Sequence, residues 1–78
     1  MANVKIITKP VREGAACEIQ VTGNEPVAVV IAVGGVIVCS KTVQPPATLS
    51  VKLPPDSAGK TIRASVPGDF DSAFILTP

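Results

Sequence analysis

The residue types that carry most enzyme and metal chemistry are scarce in this chain. Its 78 residues include no histidine, which excludes Ser-His-Asp and Cys-His catalysis and histidine-ligated metal sites. The six acidic residues are dispersed along the sequence, whereas acid–base catalysis by carboxyl groups requires them to be clustered. We therefore predict a protein that is not an enzyme, with no catalytic residues, no cofactor and no metal site.

Two cysteines, Cys17 and Cys39, lie in apolar segments and have no obvious base beside them in the sequence. A buried cysteine behaves as a small hydrophobic side chain, so we expect free thiols. The alternative is a disulfide between them, which would close a loop of about twenty residues and add on the order of 3 kcal/mol. The strand register predicted from the hairpin, in which Cys17 points inward and Cys39 outward, favours the thiols.

Three aspartates could be considered for calcium binding. Asp69 and Asp71 flank Phe70, and Asp56 lies in a separate Pro- and Gly-containing turn. Calcium takes about six to eight oxygen ligands, several of them from carboxylates at one end of a domain. Aspartate is also common in turns because its side chain bonds to nearby backbone groups. We therefore expect these residues to be solvated turn formers.

The longest uncharged segment is PVAVVIAVGGVIVCS, from Pro26 to Ser40. Gly34-Gly35 predicts a two-residue turn between antiparallel strands, because glycine reaches positive φ at low cost. A phosphate-binding loop would need a helix after it. The turn fixes a register in which the facing pairs are Val33–Val36, Ala32–Ile37, Ile31–Val38, Val30–Cys39 and Val29–Ser40.

This register gives the hairpin two apolar faces. The bulkier face is predicted to build the core and carries Val27, Val29, Ile31, Val33, Val36 and Val38. The second face carries Ala28, Val30, Ala32, Ile37 and Cys39. Connections are short, so few residues can cover the second face, and an uncovered apolar sheet face generally marks an interface. We expect Ala28, Val30, Ala32 and Ile37 to contact another protein or a second copy; the alternative is a covering loop.

Short alternating segments separated by turns occupy the rest of the chain. They predict strands over residues 4–11, 15–22, 47–53, 61–66 and 72–77. Pro10 places the first of them at a sheet edge, where the chain can change sheets. The expected inward residues are Cys17, Ile19, Val21, Leu49, Val51, Leu53, Ile62, Ala64, Val66, Phe74 and Leu76. With the hairpin these make about seven short strands, the pattern of an all-β antiparallel sandwich in a single domain, 1–78.

The last third of the chain, TLSVKLPPDSAGKTIRASVPGDFDSAFILT, resembles the closing half of bacterial and viral immunoglobulin-like domains. The resemblance covers about residues 47–77 and consists of a strand, a Pro-Asp turn, a glycine, a strand, a tight turn and a final strand. The chain departs from antibody domains because it lacks the core tryptophan, the corner tyrosine and a cysteine on the penultimate strand. The resemblance implies an immunoglobulin-like β-sandwich outside the disulfide-bridged set.

Charge and composition narrow the partners. Seven basic residues nearly balance six acidic ones, and the chain has no Trp or Tyr, so nucleic-acid binding is not expected. The N-terminal residues MANVKI have no apolar core of a signal peptide. The apolar hairpin is too short for a membrane helix. We expect neither a signal peptide nor a membrane partner.

The resemblance also implies a function. Tailed phages use small domains of this kind as capsid decoration proteins and as appendages on head and tail proteins. It implies a non-enzymatic virion protein, made in the host cytoplasm, that contacts capsid or virion proteins or associates with itself, for example as a homotrimer. The alternative is an adhesion module of a bacterial surface protein that binds carbohydrate or a receptor. Sugar-binding sandwiches usually display Trp or Tyr, which this chain lacks.

Overall fold

A computed structural model describes residues 2–78 of the chain. Over that range the regular structure consists entirely of β-strands, which confirms the predicted all-β class. None of these residues forms a helix long and apolar enough to cross a membrane. The strands are β1 (Asn3–Ile6), β2 (Val11–Arg12), β3 (Ala16–Thr22), β4 (Val27–Val33), β5 (Val36–Val43), β6 (Ala47–Lys52), β7 (Thr61–Val66) and β8 (Asp69–Leu76).

The predicted N-terminal strand is divided into β1 and β2, which gives one strand more than expected. β1 pairs antiparallel with β3, whereas β2 pairs parallel with β8, so the chain changes sheets between Ile6 and Val11. Pro10 lies in this connection and has no N–H to donate to a ladder. The predicted change of sheet is confirmed.

The strands form two sheets of unequal width. The small sheet has the order β1-β3-β6 and the large sheet the order β2-β8-β7-β4-β5. The small sheet is antiparallel throughout, as predicted. The large sheet is mixed, because β2 runs parallel to β8 at its edge. The expectation of a purely antiparallel arrangement is therefore wrong at that one strand pair.

Both sheets contribute to one hydrophobic core. The inward residues predicted for β3, β6 with Leu53, and β7 are confirmed. The buried apolar side chains are Val4, Ile6, Val11, Cys17, Ile19, Val21, Val27, Val29, Ile31, Val33, Leu49, Val51, Leu53, Ile62, Ala64, Val66 and Ile75. They are almost all aliphatic, and the β-branched ones suit a pleated sheet that packs on one face.

The hairpin register is right near the turn and wrong beyond it. Val33 pairs with Val36 and Ala32 with Ile37, but the register then shifts, so that Ile31 pairs with Cys39. The pairs Val30–Ser40 and Val29–Lys41 follow from that shift. The extra residue, Val38, forms a β-bulge, which places two residues of one strand opposite one of its neighbour. As a result Cys39 turns toward the core and packs against it, contrary to prediction.

The predicted core positions Val36 and Val38 are also wrong, because these side chains are 66% and 41% exposed. Val38 lies in the bulge, and Val36 is at the hairpin tip. β5 is an edge strand of the large sheet. The inward residues of β4, by contrast, are buried as predicted.

Phe74 and Leu76 were expected in the core, and this prediction is wrong. β8 begins at Asp69, directly after the Pro67-Gly68 turn. In its pairing with β7, Asp69 lies opposite Val66 and Ala73 lies opposite Ile62. Paired residues of neighbouring strands share a face, so the buried residues of β7 place Ile75, which is fully buried, on the inner side. Phe74 and Leu76 therefore point outward.

Candidate functional site

The outward side of the large sheet, called the outer face below, is the candidate site. The cross-strand pairs bring its residues together from every strand of that sheet. Its apolar members are Ala28, Val30, Ala32, Ile37, Phe70, Phe74 and Leu76. Its uncharged polar members are Ser40, Thr42, Thr61, Ser65 and Ser72, and its charged members are Arg12 and Arg63. The apolar members therefore form two groups, one on β4 and β5 and one on β8, on either side of the polar outward residues of β7. Both charged members are basic.

The structure places all four residues of the predicted interface on the outer face. Ala28, Val30 and Ala32 alternate with the buried residues of β4, and Ile37 is the cross-strand partner of Ala32. Ile37 is 64% exposed, and Ala28 is exposed as well. Val30 and Ala32 are half-buried among neighbouring strands. These residues occupy the half of the outer face built by β4 and β5.

Sequence reasoning missed the other half of the outer face. Phe70, Phe74 and Leu76 on β8 are 56%, 60% and 38% exposed. A phenylalanine side chain carries roughly 200 Å² of surface, so the two rings alone expose on the order of 230 Å². A contiguous apolar patch of a few hundred Å² is at the upper end for a monomeric protein. The short Pro67-Gly68 turn, which ties the orientation of β8 to that of β7, is the signal that could have revealed this half.

Arg63 lies near the centre of the outer face, on the middle strand β7. Its guanidinium carbon lies 4.1 Å from the centroid of the Phe70 ring, within the range of a cation–π interaction. Its cross-strand partners are Ala32 on β4 and Ser72 on β8, both uncharged. The contact with the ring restrains the exposed Arg63 side chain beside β8.

The outward side of the small sheet has a different composition. Its residues alternate with the buried positions of β1, β3 and β6. Apart from Ala16 they are polar or charged: Asn3, Lys5, Glu18, Gln20, Thr22, Thr48, Ser50 and Lys52. This is the composition of a solvated sheet surface. Among the described residues, every exposed large apolar side chain except Ile7 lies on the large sheet, and the small sheet supplies a matched polar control surface.

Asp69 and Asp71 have a structural role that the sequence did not predict. Expected in a turn, they are the first and third residues of β8 and point toward β1. The Val4 N–H donates to Oδ2 of Asp69 at 3.0 Å, and the Ile6 N–H donates to Oδ2 of Asp71 at 2.9 Å. Oδ1 of Asp71 also accepts from the Ser72 N–H at 3.0 Å. The carboxylates thus join the free edge of the small sheet to the large sheet.

Neither cysteine offers an activated nucleophile. Both are free thiols; Cys17 is buried and Cys39 is half-buried. Burial, and secondarily the nearby Glu18 carboxylate, raise the pKa of the Cys17 thiol above its ordinary value of 9.0, and the thiolate is the reactive form. Over residues 2–78, no group of three or more His, Cys, Asp or Glu side chains is placed to hold a metal ion.

No protein-family model, curated protein or solved structure matches the chain. The candidate site therefore rests on the residues of this chain alone. The outer face is the part that differs most from an ordinary solvated surface, because it exposes two phenylalanines and several aliphatic side chains side by side. The outer face can provide apolar contacts and the hydrogen-bond donors of the Arg63 guanidinium.

Proposed function

We propose that this domain is a non-enzymatic interaction module that binds another protein through the outer face. The observation that carries this proposal is the set of exposed aromatic and aliphatic side chains on one sheet, whereas the outward side of the other sheet is polar. A stable interface typically buries about 800 Å² per partner and is enriched in aromatic residues and arginine. The outer face exposes two phenylalanines and carries Arg63 among its aliphatic residues.

The fold proposed for the module is an immunoglobulin-like sandwich. The order β8-β7-β4-β5 corresponds to the G-F-C-C′ order of the immunoglobulin fold, and β1-β3-β6 corresponds to A-B-E. The single core shared by the two sheets supports the same proposal. In this architecture the outer face is the outside of the G-F-C-C′ sheet.

The setting we propose is a phage virion, with the domain acting as a capsid decoration protein or an appendage of a head or tail protein. The resemblance of residues 47–77 to viral immunoglobulin-like domains supports it. On a repeating lattice, many copies of a modest contact can bind together, so avidity compensates for the small area of each face. The partner would be a capsid or other virion protein, or a further copy in an oligomer such as a homotrimer.

One observation favours the alternative, an adhesion module that binds carbohydrate or a receptor. Phe74 is 60% exposed, and an exposed aromatic ring offers a large apolar contact surface. A glycan array separates the two functions, because the virion proposal predicts no glycan binding by the wild-type protein. A stable monomer that binds glycans and ignores particles would establish the alternative.

The test of the interface compares Ala32→Asp with Thr48→Asp. Both add one carboxylate to an outward position, the first on the outer face and the second on the polar small sheet. The assay is co-sedimentation with particles assembled from the structural proteins encoded beside this one. We expect Ala32→Asp to melt like the wild type but to lose binding at least about tenfold. The new carboxylate would lie beside its cross-strand partner Arg63, and a partner covering the face would have to take both charges out of water.

Thr48→Asp is expected to bind like the wild type. Two results would contradict the proposal. If Ala32→Asp unfolds, that side of β4 belongs to the core. If both variants bind as well as the wild type, the outer face is not the interface.

A further inference from the structure

The position of Arg63 restricts what can cover the outer face. β7 lies between β8 and β4, and Arg63 is in the interior of the strand, so a partner seated on the face would bury its guanidinium. The charged residues of the outer face, Arg63 and Arg12, are both basic. A charge that becomes buried without a counter-charge destabilises a complex by several kcal/mol. Because the outer face carries no acidic residue among residues 2–78, a partner would have to supply the counter-charge for Arg63.

The same position disfavours a second copy of the face as the partner. In a two-fold dimer, residues near the centre of the interface meet their own equivalents. Two outer faces packed together would bring two Arg63 guanidinium groups close, and a like-charge contact costs several kcal/mol. Apolar area alone would permit this dimer; the central cation opposes it.

We propose that the outer face binds a different protein whose contacting surface is apolar and carries a carboxylate opposite Arg63. This inference rests on the proposed function and specifies the partner of that same face. A guanidinium offers two parallel N–H donors that match the two oxygens of a carboxylate. The Phe70 ring, whose centroid lies 4.1 Å from the guanidinium carbon, restrains the Arg63 side chain before binding, and such restraint reduces the conformational entropy lost on association.

The protein itself supplies a defined probe of this surface chemistry. An Arg63→Glu copy presents an apolar face of the same shape with a carboxylate at its centre, and an Arg63→Gln copy presents the same face without the charge. Isotope-labelled wild-type protein is titrated with each unlabelled variant and followed by NMR and sedimentation equilibrium. Arg63 is exposed, so both variants are expected to fold; Arg63→Asp repeats the test if Arg63→Glu does not.

We expect the wild type to bind the Arg63→Glu copy at least about tenfold more tightly than the Arg63→Gln copy, because close charge pairs at interfaces couple by about 1.5 kcal/mol or more. The shifts should map to the outer face, and the preference should weaken at high salt. Wild type alone, and Arg63→Glu alone, should stay monomeric at the same concentrations.

Three results would overturn the inference. Equal binding of the Glu and Gln copies would show that apolar area suffices, and absence of binding in every mixture would show that the carboxylate adds nothing. Wild-type self-association that Ala32→Asp abolishes would identify a second copy as the occupant. The particle assay tests the proposed function independently of the Arg63 titration. If Ala32→Asp loses particle binding in any of these cases, the outer face is still an interface and only the carboxylate inference fails.

Discussion

The carboxylates of Asp69 and Asp71 are predicted to hold the small sheet to the large one. Each accepts a backbone N–H from the free edge of β1, at 3.0 Å from Val4 and 2.9 Å from Ile6. Replacing either aspartate with alanine leaves that N–H without its partner. Hydrogen bonds to charged groups contribute about 1.5–3 kcal/mol. Because both carboxylates are half-buried and partly screened, we expect the lower value, about 1.5 kcal/mol for each substitution.

The double substitution should cost about 3 kcal/mol if the two bonds act independently, which is a large share of the roughly 5 kcal/mol that stabilises a small domain. Asparagine keeps an oxygen that can accept the N–H, so Asp69→Asn and Asp71→Asn should cost less, about 1 kcal/mol each. Asp56→Asn is the matched control, because it removes the same charge at an exposed turn residue with a φ of 67°, a conformation that asparagine tolerates.

The measurements are urea unfolding and native-state hydrogen exchange. The alanine variants should lose exchange protection at the Val4 and Ile6 amides, while amides in the centre of β3 lose only the protection expected from the lower global stability. The reasoning is refuted if the double alanine variant lies within about 0.5 kcal/mol of the wild type and the Val4 and Ile6 amides stay as protected as before.

Three further predictions concern the core, a buried thiol and the hairpin turn. Ile75→Ala should cost about 2–5 kcal/mol in urea unfolding and Phe74→Ala less than about 1 kcal/mol, because only Ile75 is buried; the reverse order would contradict the assigned orientation of β8. Because burial raises the pKa of Cys17, the contribution of this thiol to stability should be constant below pH 9 and fall as the pH rises above it. The loss should be absent in Cys17→Ala, and a loss that persists there must have another origin. Gly34→Ala should lower the free energy of unfolding by about 1 kcal/mol, since φ is +59° and the new Cβ would lie 2.9 Å from Cδ of Lys60. Adding Lys60→Ala should remove the close contact but leave the cost of the positive φ. If Gly34→Ala is as stable as the wild type, the backbone at this turn is not strained by a side chain.

Most of the fold could be predicted because its signals are local. β3, β6 and β7 alternate apolar with polar residues, and a strand buried on one side shows its orientation directly in that pattern. The turn at Gly34-Gly35 has φ values of 59° and 85°, as a type I′ hairpin requires. The bulge at Val38 could not be predicted, because every residue from Val36 to Cys39 is apolar and a shift of one position changes no hydrophobic match.

The candidate site was predictable only on the side where the sequence settles the register. The β4 residues follow from the hairpin, and they lie on the outer face as expected. Phe74 and Leu76 on β8 were expected in the core, whereas the short Pro67-Gly68 turn ties β8 to β7 in a register that points them outward. The same register places Asp69 and Asp71 inward, where they accept hydrogen bonds from β1, 65 residues away. A contact of that sequence separation leaves no local pattern that would identify the partners of these acids.

Three of the four edge strands, β1, β2 and β5, carry features that disfavour strand addition, which supports the proposed contact through a face. Exposed edge strands are commonly protected by bulges, by inward-pointing charges or by being very short. β5 has the bulge at Val38, and Lys41 pairs with the buried Val29 and so lies on its inward side. The β1 edge is closed by carboxylates, and β2 is only two residues long.

The outer face has no comparable protection, apart from the single central cation of Arg63. The proposed interface is consistent with this arrangement, because the β1, β2 and β5 edges are protected while Phe70 and Phe74 are exposed on the outer face. The β6 edge has neither a bulge nor an inward charge. Removing the edge protection, for example with Lys41→Val, should therefore produce self-association that Ala32→Asp does not prevent; a Lys41→Val variant that stays monomeric would show that the inward charge is not what guards β5.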